Sequence, residues 1–297
     1  MRIPTAMAKN DLGKTIKDEL TLCYDAEPRL LEDLSSVGIG DWLSFDEFSM
    51  YRVVSRHFQY AFDVLYGASV DSRIKLATIR FGHFGEQEQS LYVYYRLENK
   101  AHYDPELFDI ALRLPDMLGL TFRHTTSMDL CRDFKCNVVQ RIRKVAKDVA
   151  VTVIVNGKAI DKSEDVAGSM LVYSLNFNRV KNPTISIKQA KAIKDKSKGL
   201  TMCAYDKSNE IINASGKDYI KEFYGNPKSL HRLEIHLNNQ EIKDYCKNVL
   251  GVTQDLSMLR DQKFLDGIYE YHLSSLLRFT KGRKRLDWND ILCSGRV

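Results

Sequence analysis

Leu230-His231-Arg232-Leu233-Glu234-Ile235-His236-Leu237 is the stretch on which the reading of this chain turns. Apolar and polar residues alternate one by one, the period of a β-strand, so Leu233, Ile235 and Leu237 share one face while Arg232, Glu234 and His236 share the other. A charged face within otherwise apolar strands is costly unless it is solvated or paired, so the partners of these side chains bear on function. Two further segments have the same character. In Thr125–Phe134 (TTSMDLCRDF), Met128, Leu130 and Phe134 fall to one side and Asp129, Cys131 and Asp133 to the other; Leu200–Tyr205 (LTMCAY) runs on into Asp206 and Lys207.

Working outward, Leu20–Asp25 and Ser90–Arg96 have the length and the aromatic and β-branched content of strands, while Phe45–Tyr66 gives mixed spacing. Pro105 opens an amphipathic helix through Leu107, Phe108, Ala111 and Leu112, with an interruption expected at Pro115. Asn137 is placed to cap a helix striped by Val138, Val139, Ile142 and Val145. Val149–Val155 reads as a strand turning at Asn156-Gly157 into Lys158–Asp161, and Leu171–Phe177 and Ile185–Ile187 as further strands. Asn238 or Asn239 caps the helix holding Ile242 and Tyr245, and from about Gln254 the chain turns helical. These elements predict an α+β fold, a mainly antiparallel sheet covered by helices on one face. Residues 1–253 form the main domain of this reading and 254–297 a small helical, basic subdomain.

At 297 residues the chain can bury a large core, and 44% hydrophobic with 28% charged residues is the composition of a folded globular protein. No run reaches the roughly 20 apolar residues of a membrane helix, and Met1–Asn10 lacks the apolar centre of a signal peptide, so a cytoplasmic protein with no membrane partner is expected. The six cysteines contain no C-x-x-C pair, which argues for reduced thiols rather than a zinc site or disulfide framework.

Charge is unevenly spread beneath a net +5. Asp18–Glu47 holds nine acidic residues against Arg29 alone; Arg179–Lys207 holds eight basic against two acidic; Arg278–Arg285 adds five basic and no acidic. The two basic runs predict surfaces that attract polyanions with steep salt dependence. Lys188, Lys191, Lys194, Lys196 and Lys198 in one run, Lys281, Arg283, Lys284 and Arg285 in the other, and Arg232 are the candidate DNA contacts.

The three polar strand segments suggest chemistry. Asp129 and Glu234 could share a divalent cation, since carboxylate oxygens suit magnesium or manganese. A tyrosine nearby would complete a phosphoryl-transfer site, with Lys207 beside Tyr205 supplying positive charge. The blander alternatives are a solvated Asp129 ion-paired to Arg132 or Arg232, a Tyr205 that merely covers the sheet, and an Arg232–Glu234 salt bridge. The seven histidines never occur one residue apart, and His231 and His236 fall on opposite faces of their strand.

Ser127-Met128-Asp129-Leu130-Cys131-Arg132-Asp133, then Ala204-Tyr205-Asp206-Lys207, then His231-Arg232-Leu233-Glu234-Ile235, taken in that order, resembles the replication-initiation-factor family of rolling-circle plasmids and filamentous phages. Leu20-Thr21-Leu22-Cys23-Tyr24 is similar to the first strand of those proteins. The resemblance implies a strand-specific DNA endonuclease and ligase that nicks an origin, stays attached through a phosphotyrosine and leaves a 3′-hydroxyl. It implies Tyr205 as nucleophile with Lys207 as its catalytic neighbour, Asp129 and Glu234 as ligands of Mg2+ or Mn2+, and single-stranded or cruciform origin DNA as substrate. A host replication helicase and a second copy of the chain, as a homodimer, are the protein partners in that reading. Two other classes stay open: a binding module that stacks bases on Tyr92, Tyr94 and Tyr205 without cutting, and a nucleotidyltransferase using Asp129, Asp133 and Glu234, for which the sequence offers no glycine-rich phosphate loop.

Overall fold

The computed structural model describes residues 12–67, 72–83, 92–160, 183–189 and 199–292. The strand expected at Leu171–Phe177 lies outside them. The fold is α+β, with a large antiparallel sheet of ten strands and, among the described residues, eight helices. Two compact units divide the chain: Lys17–Met128 with Ile242–Arg260, and Met1–Ile16 with Asp129–Glu241 and Asp261–Val297. Each unit is assembled from separate stretches of chain, which a search for one linear break does not find.

The Lys17 unit is built on β1 (Ile16–Asp25), β2 (Trp42–Phe45), β3 (Phe48–Val53), β4 (Phe58–Tyr66), β5 (Ile74–His83), β6 (Tyr92–Leu97) and the first residues of β7 (Thr121–Phe134). The order is β7-β1-β6-β5-β4-β3-β2. Leu20, Leu22, Phe62, Ile79 and Tyr95 are wholly buried on one face, as the alternating pattern requires. Helix α1 spans Pro28–Ser35 and α2 spans Pro105–Met117. Contrary to expectation, α2 runs through Pro115. A proline there cannot donate to the carbonyl four residues back, that of Ala111. The buried Tyr95 hydroxyl donates to that carbonyl oxygen instead, at 2.7 Å, which removes the main cost of the proline and ties the helix to β6.

The second unit takes the end of β7, then α3 (Val138–Lys147), β8 (Val151–Val155), β9 (Lys158–Ala159), β10 (Ile185–Lys188), β11 (Thr201–Asp206), α4 (Lys207–Glu210), α5 (Asp218–Phe223) and β12 (His231–Asn238). After α6 (Asn239–Tyr245) and the excursion into the other unit come α7 (Gln262–Leu276), β13 (Leu277–Lys281), β14 (Lys284–Arg285) and α8 (Trp288–Leu292). Sheet order here is β10-β11-β12-β7, with a second sheet β14-β13-β8-β9. The expected caps are present: the Asn137 side chain accepts from Gln140 N–H, and Asn238 from Gln240 N–H. Asn156 and Gly157 both take positive φ, the backbone a two-residue hairpin turn demands.

Helix α7 covers the apolar face of this unit's sheet. The hydroxyl of wholly buried Tyr269 donates to Leu233 O at 3.0 Å. Beside it, Arg132 stacks its guanidinium 4.5 Å from the Tyr269 ring and pairs with Asp266 and Glu270 of α7. The C-terminal stretch contributes both a helix and strands. Its helix packs on the sheet and its hairpin pairs with β8.

Candidate active site

Pairing of β11 with β12 sets Tyr205 opposite Arg232, Cys203 opposite Glu234 and Thr201 opposite His236. Because directly paired residues project to the same side, the polar residues of both strands share one face, and Leu233, Ile235 and Leu237 are buried on the other. The contacts Asp133–Arg232 and Asp129–His236 bring the polar side of β7 onto the same face.

Three pairings organise this face. Arg232 and Asp133 are both wholly buried and joined by two parallel hydrogen bonds, Nε to Oδ1 at 2.8 Å and Nη2 to Oδ2 at 2.7 Å. The Tyr205 hydroxyl donates to Glu234 Oε2 at 2.9 Å, and Arg232 Nη1 lies 3.8 Å from that same oxygen. Asp129 Oδ1 meets His236 Nδ1 at 2.5 Å. Glu234, Asp129 and His236 keep part of their surface in solvent. Cys203 lies among them: burial first, then the charges of Glu234 and Asp129, pushes its thiol up to about 11, while a hydrogen bond to Ser186 opposes the rise.

Several expected roles change. Lys207 does not extend β11; it starts α4, because the Asp206 side chain accepts from Asn209 N–H and caps a helical turn there. It is buried, ion-paired with Glu210 at 2.8 Å, and its ammonium is 5.8 Å from the centre of the Tyr205 ring. Arg232 is corrected from a DNA contact to an internal anchor, since a guanidinium with no exposed surface cannot meet a phosphate backbone. Asp129 pairs with neither Arg132 nor Arg232 but with His236, a residue that histidine spacing alone set aside. Lys188 lies exposed on β10, and Lys281, Arg283, Lys284 and Arg285 lie exposed on the β13–β14 hairpin. Lys191, Lys194, Lys196 and Lys198 lie outside the described residues.

Among the described residues no group of three or more His, Cys, Asp or Glu side chains is placed to hold a metal ion. Asp129 and Glu234 still suit magnesium by donor chemistry, because that ion is commonly held by one or two carboxylates together with waters and substrate phosphates rather than by a full protein cage. No helix among the described residues is long and apolar enough to cross a membrane.

Fold and face together define an α+β protein whose antiparallel sheet presents a tyrosine–carboxylate pair beside a buried arginine. No protein-family model matches the chain, and no curated protein matches it in sequence. Among solved structures it is similar to the rolling circle replication initiator protein from Geobacillus stearothermophilus, at 12% identity over 93% of this chain and 89% of that one, with a TM-score of 0.44. At that distance no role passes from the one protein to the other.

Proposed function

We propose that this chain is a rolling-circle replication initiator that nicks and rejoins one strand of origin DNA through a covalent bond to Tyr205. The observation that carries the reading is the 2.9 Å hydrogen bond from the Tyr205 hydroxyl to Glu234, within the 2.6–3.2 Å reach a general base needs. The ordered motifs around Asp129, Tyr205 and Glu234 support it. In this mechanism Glu234 takes the phenol proton as Tyr205 Oη bonds to phosphorus. The P–O3′ bond breaks, the departing O3′ takes a proton from water to become the 3′-hydroxyl, and the phosphotyrosine keeps the phosphodiester energy for rejoining. Arg232 Nη1, 3.8 Å from Glu234 Oε2, holds that carboxylate in place beside the tyrosine. Lys207 lies 5.8 Å from the ring centre, its charge largely offset by Glu210 at 2.8 Å. Asp129 and Glu234 are the residues that would hold Mg2+ or Mn2+, which when bound neutralises charge on the phosphate.

The test is incubation with a labelled single strand from the protein's own replicon and manganese, followed by a denaturing gel. A covalent adduct is expected from the wild type and none from Tyr205→Phe, which keeps the ring and loses only the hydroxyl. An adduct on Tyr205→Phe would move the chemistry to another tyrosine. Binding without any adduct from the wild type would overturn the nickase in favour of a binding module.

A further inference from the structure

The second sheet of the Tyr205 unit ends in a hairpin with more positive charge than the acids facing it can offset: Lys281 has Asp148 at 3.7 Å, while Arg283 and Lys284 stand exposed. Lys281 pairs directly with Lys284 across β13 and β14, leaving Gly282-Arg283 as a two-residue turn. Gly282 takes φ +59, which suits the first position of such a turn. Residues 281–285 are all exposed. Like charges set directly opposite each other destabilise a strand pair, so the hairpin carries a repulsion that a bound polyanion would relieve.

Helix α3 continues the same positive surface. Val138, Val139, Ile142 and Val145 are buried along one side, and Lys144 and Lys147 stand exposed in the last turn. Contact between the two elements is direct: Lys281 Nζ lies 3.7 Å from Asp148 Oδ2, the residue after Lys147, and Lys281 pairs with Val151 in the sheet. Lys281 thus joins the hairpin, with Arg283, Lys284 and Arg285, to the end of the helix that carries Lys144 and Lys147.

We infer that this α3–hairpin ridge is a grip for the phosphate backbone of duplex DNA, distinct from the polar face that carries Tyr205. Lys144 and Lys147 are part of it as much as the hairpin is. Duplex is the partner the chemistry favours. Its two strands present one charge per about 1.7 Å of axis, against one per about 3.4 Å for a single strand, and a ridge of basic side chains gains most from the denser charge. The inference extends the DNA-handling reading above without resting on Tyr205 as nucleophile.

The test measures binding of a labelled random-sequence duplex by anisotropy across a salt series, using the full chain. Lys144, Lys147, Arg283 and Lys284 are changed together to Gln, and melting is followed to confirm folding. Each phosphate contact contributes a slope near 0.9 in log K against log salt, so four lost contacts should flatten the slope by about 3 to 4 and weaken binding at 0.15 M about fivefold per contact. Affinity for a single strand of equal length, and adduct formation on it, should change less than twofold. Equal losses on single strand, RNA or anionic vesicles, or an unchanged duplex slope, would overturn the proposal. Lys284→Thr alone is the second arm: it should raise Tm while weakening duplex binding about fivefold, whereas a lowered Tm or unchanged binding would count against it. Absence of any adduct from the wild type would remove the nickase reading and leave the ridge to be judged on its salt slope.

Discussion

Replacing Asp133 by Ala should cost this protein about 3 to 5 kcal/mol, the range found when one partner of a buried ion pair is removed. Both Asp133 and Arg232 have no exposed side-chain surface, and two short hydrogen bonds join them. Truncating the aspartate therefore leaves a guanidinium in the interior with its main counter-charge gone, and no water can reach it without opening the sheet. The loss exceeds the net worth of the pair, because most of it is the price of the orphaned charge. Replacing both partners, as Asp133→Leu with Arg232→Met, should return stability to within about 1 kcal/mol of wild type or above it. The assay is urea unfolding followed by tryptophan fluorescence. The chain has two tryptophans, Trp42 in the Lys17 unit and buried Trp288 in the other. In a Trp42→Phe background, Trp288 reports the unit that holds the pair, which avoids treating two units as one transition. A loss below about 1 kcal/mol for Asp133→Ala, or a double variant no better than the single, would refute the reasoning.

Two further outcomes are expected besides those for Tyr205 and the basic ridge. Tyr95→Phe should cost about 1 to 3 kcal/mol, because it leaves the Ala111 carbonyl without the hydroxyl that replaces the missing proline N–H; Pro115→Ala should recover part of that loss by restoring the helical donor, and failure of the rescue in chemical denaturation would show that the hydroxyl matters for another reason. Burial, with Arg260 nearby, lowers the Lys17 pKa from 10.5 to about 8, while Asp109 opposes the shift. Between those values the unfolded chain holds the proton and the folded chain does not, so the contribution of Lys17 to stability rises with pH from about 8 to about 10 and is constant below that window. It is read as the difference between wild type and Lys17→Met, because Cys203 acts in the opposite sense above about 9. The melting-temperature difference between wild type and Lys17→Met should change across that window in favour of wild type, and a difference that stays constant from about pH 8 to about 10 would contradict it.

Alternation made the strands legible, and parity alone placed Arg232, Glu234 and His236 on one face and Asp129, Cys131 and Asp133 on one face of another strand. Which side chain meets which was not legible. The Asp129–His236 contact joins residues 107 apart in sequence, and a shift of two residues in register would preserve every face while changing every pair. Lys207 was misplaced for a local reason that the sequence did contain, since Asp206 followed by Ser208-Asn209-Glu210 is an N-cap ahead of an acidic first turn. Pro115 misled in the opposite direction. Its penalty is one unpaired carbonyl, and only the tertiary structure shows a tyrosine hydroxyl meeting it. The division into units was hidden for the same kind of reason, because Asp261–Val297 joins residues more than a hundred positions earlier in the chain.

The polar face also sorts its own residues by what burial permits. Along β12 the side-chain exposure climbs from 0% at Arg232 to 19% at Glu234 and 25% at His236. A group sealed at 0% can set the charge and orientation of its neighbours but cannot exchange a proton with a substrate, so Arg232 and Asp133 belong to the support of the site. Glu234 and His236 have surface to offer, and each holds a polar partner at hydrogen-bond distance, Tyr205 and Asp129 respectively. Same-face residues two apart on a strand are separated by about 6.8 Å, so these two pairs stand side by side along β12. Tyr205 lies toward the sealed end of this gradient. Its hydroxyl reaches Glu234 from above the buried ion pair, so the fixed end of the face positions the tyrosine and the open end remains accessible to whatever it acts on.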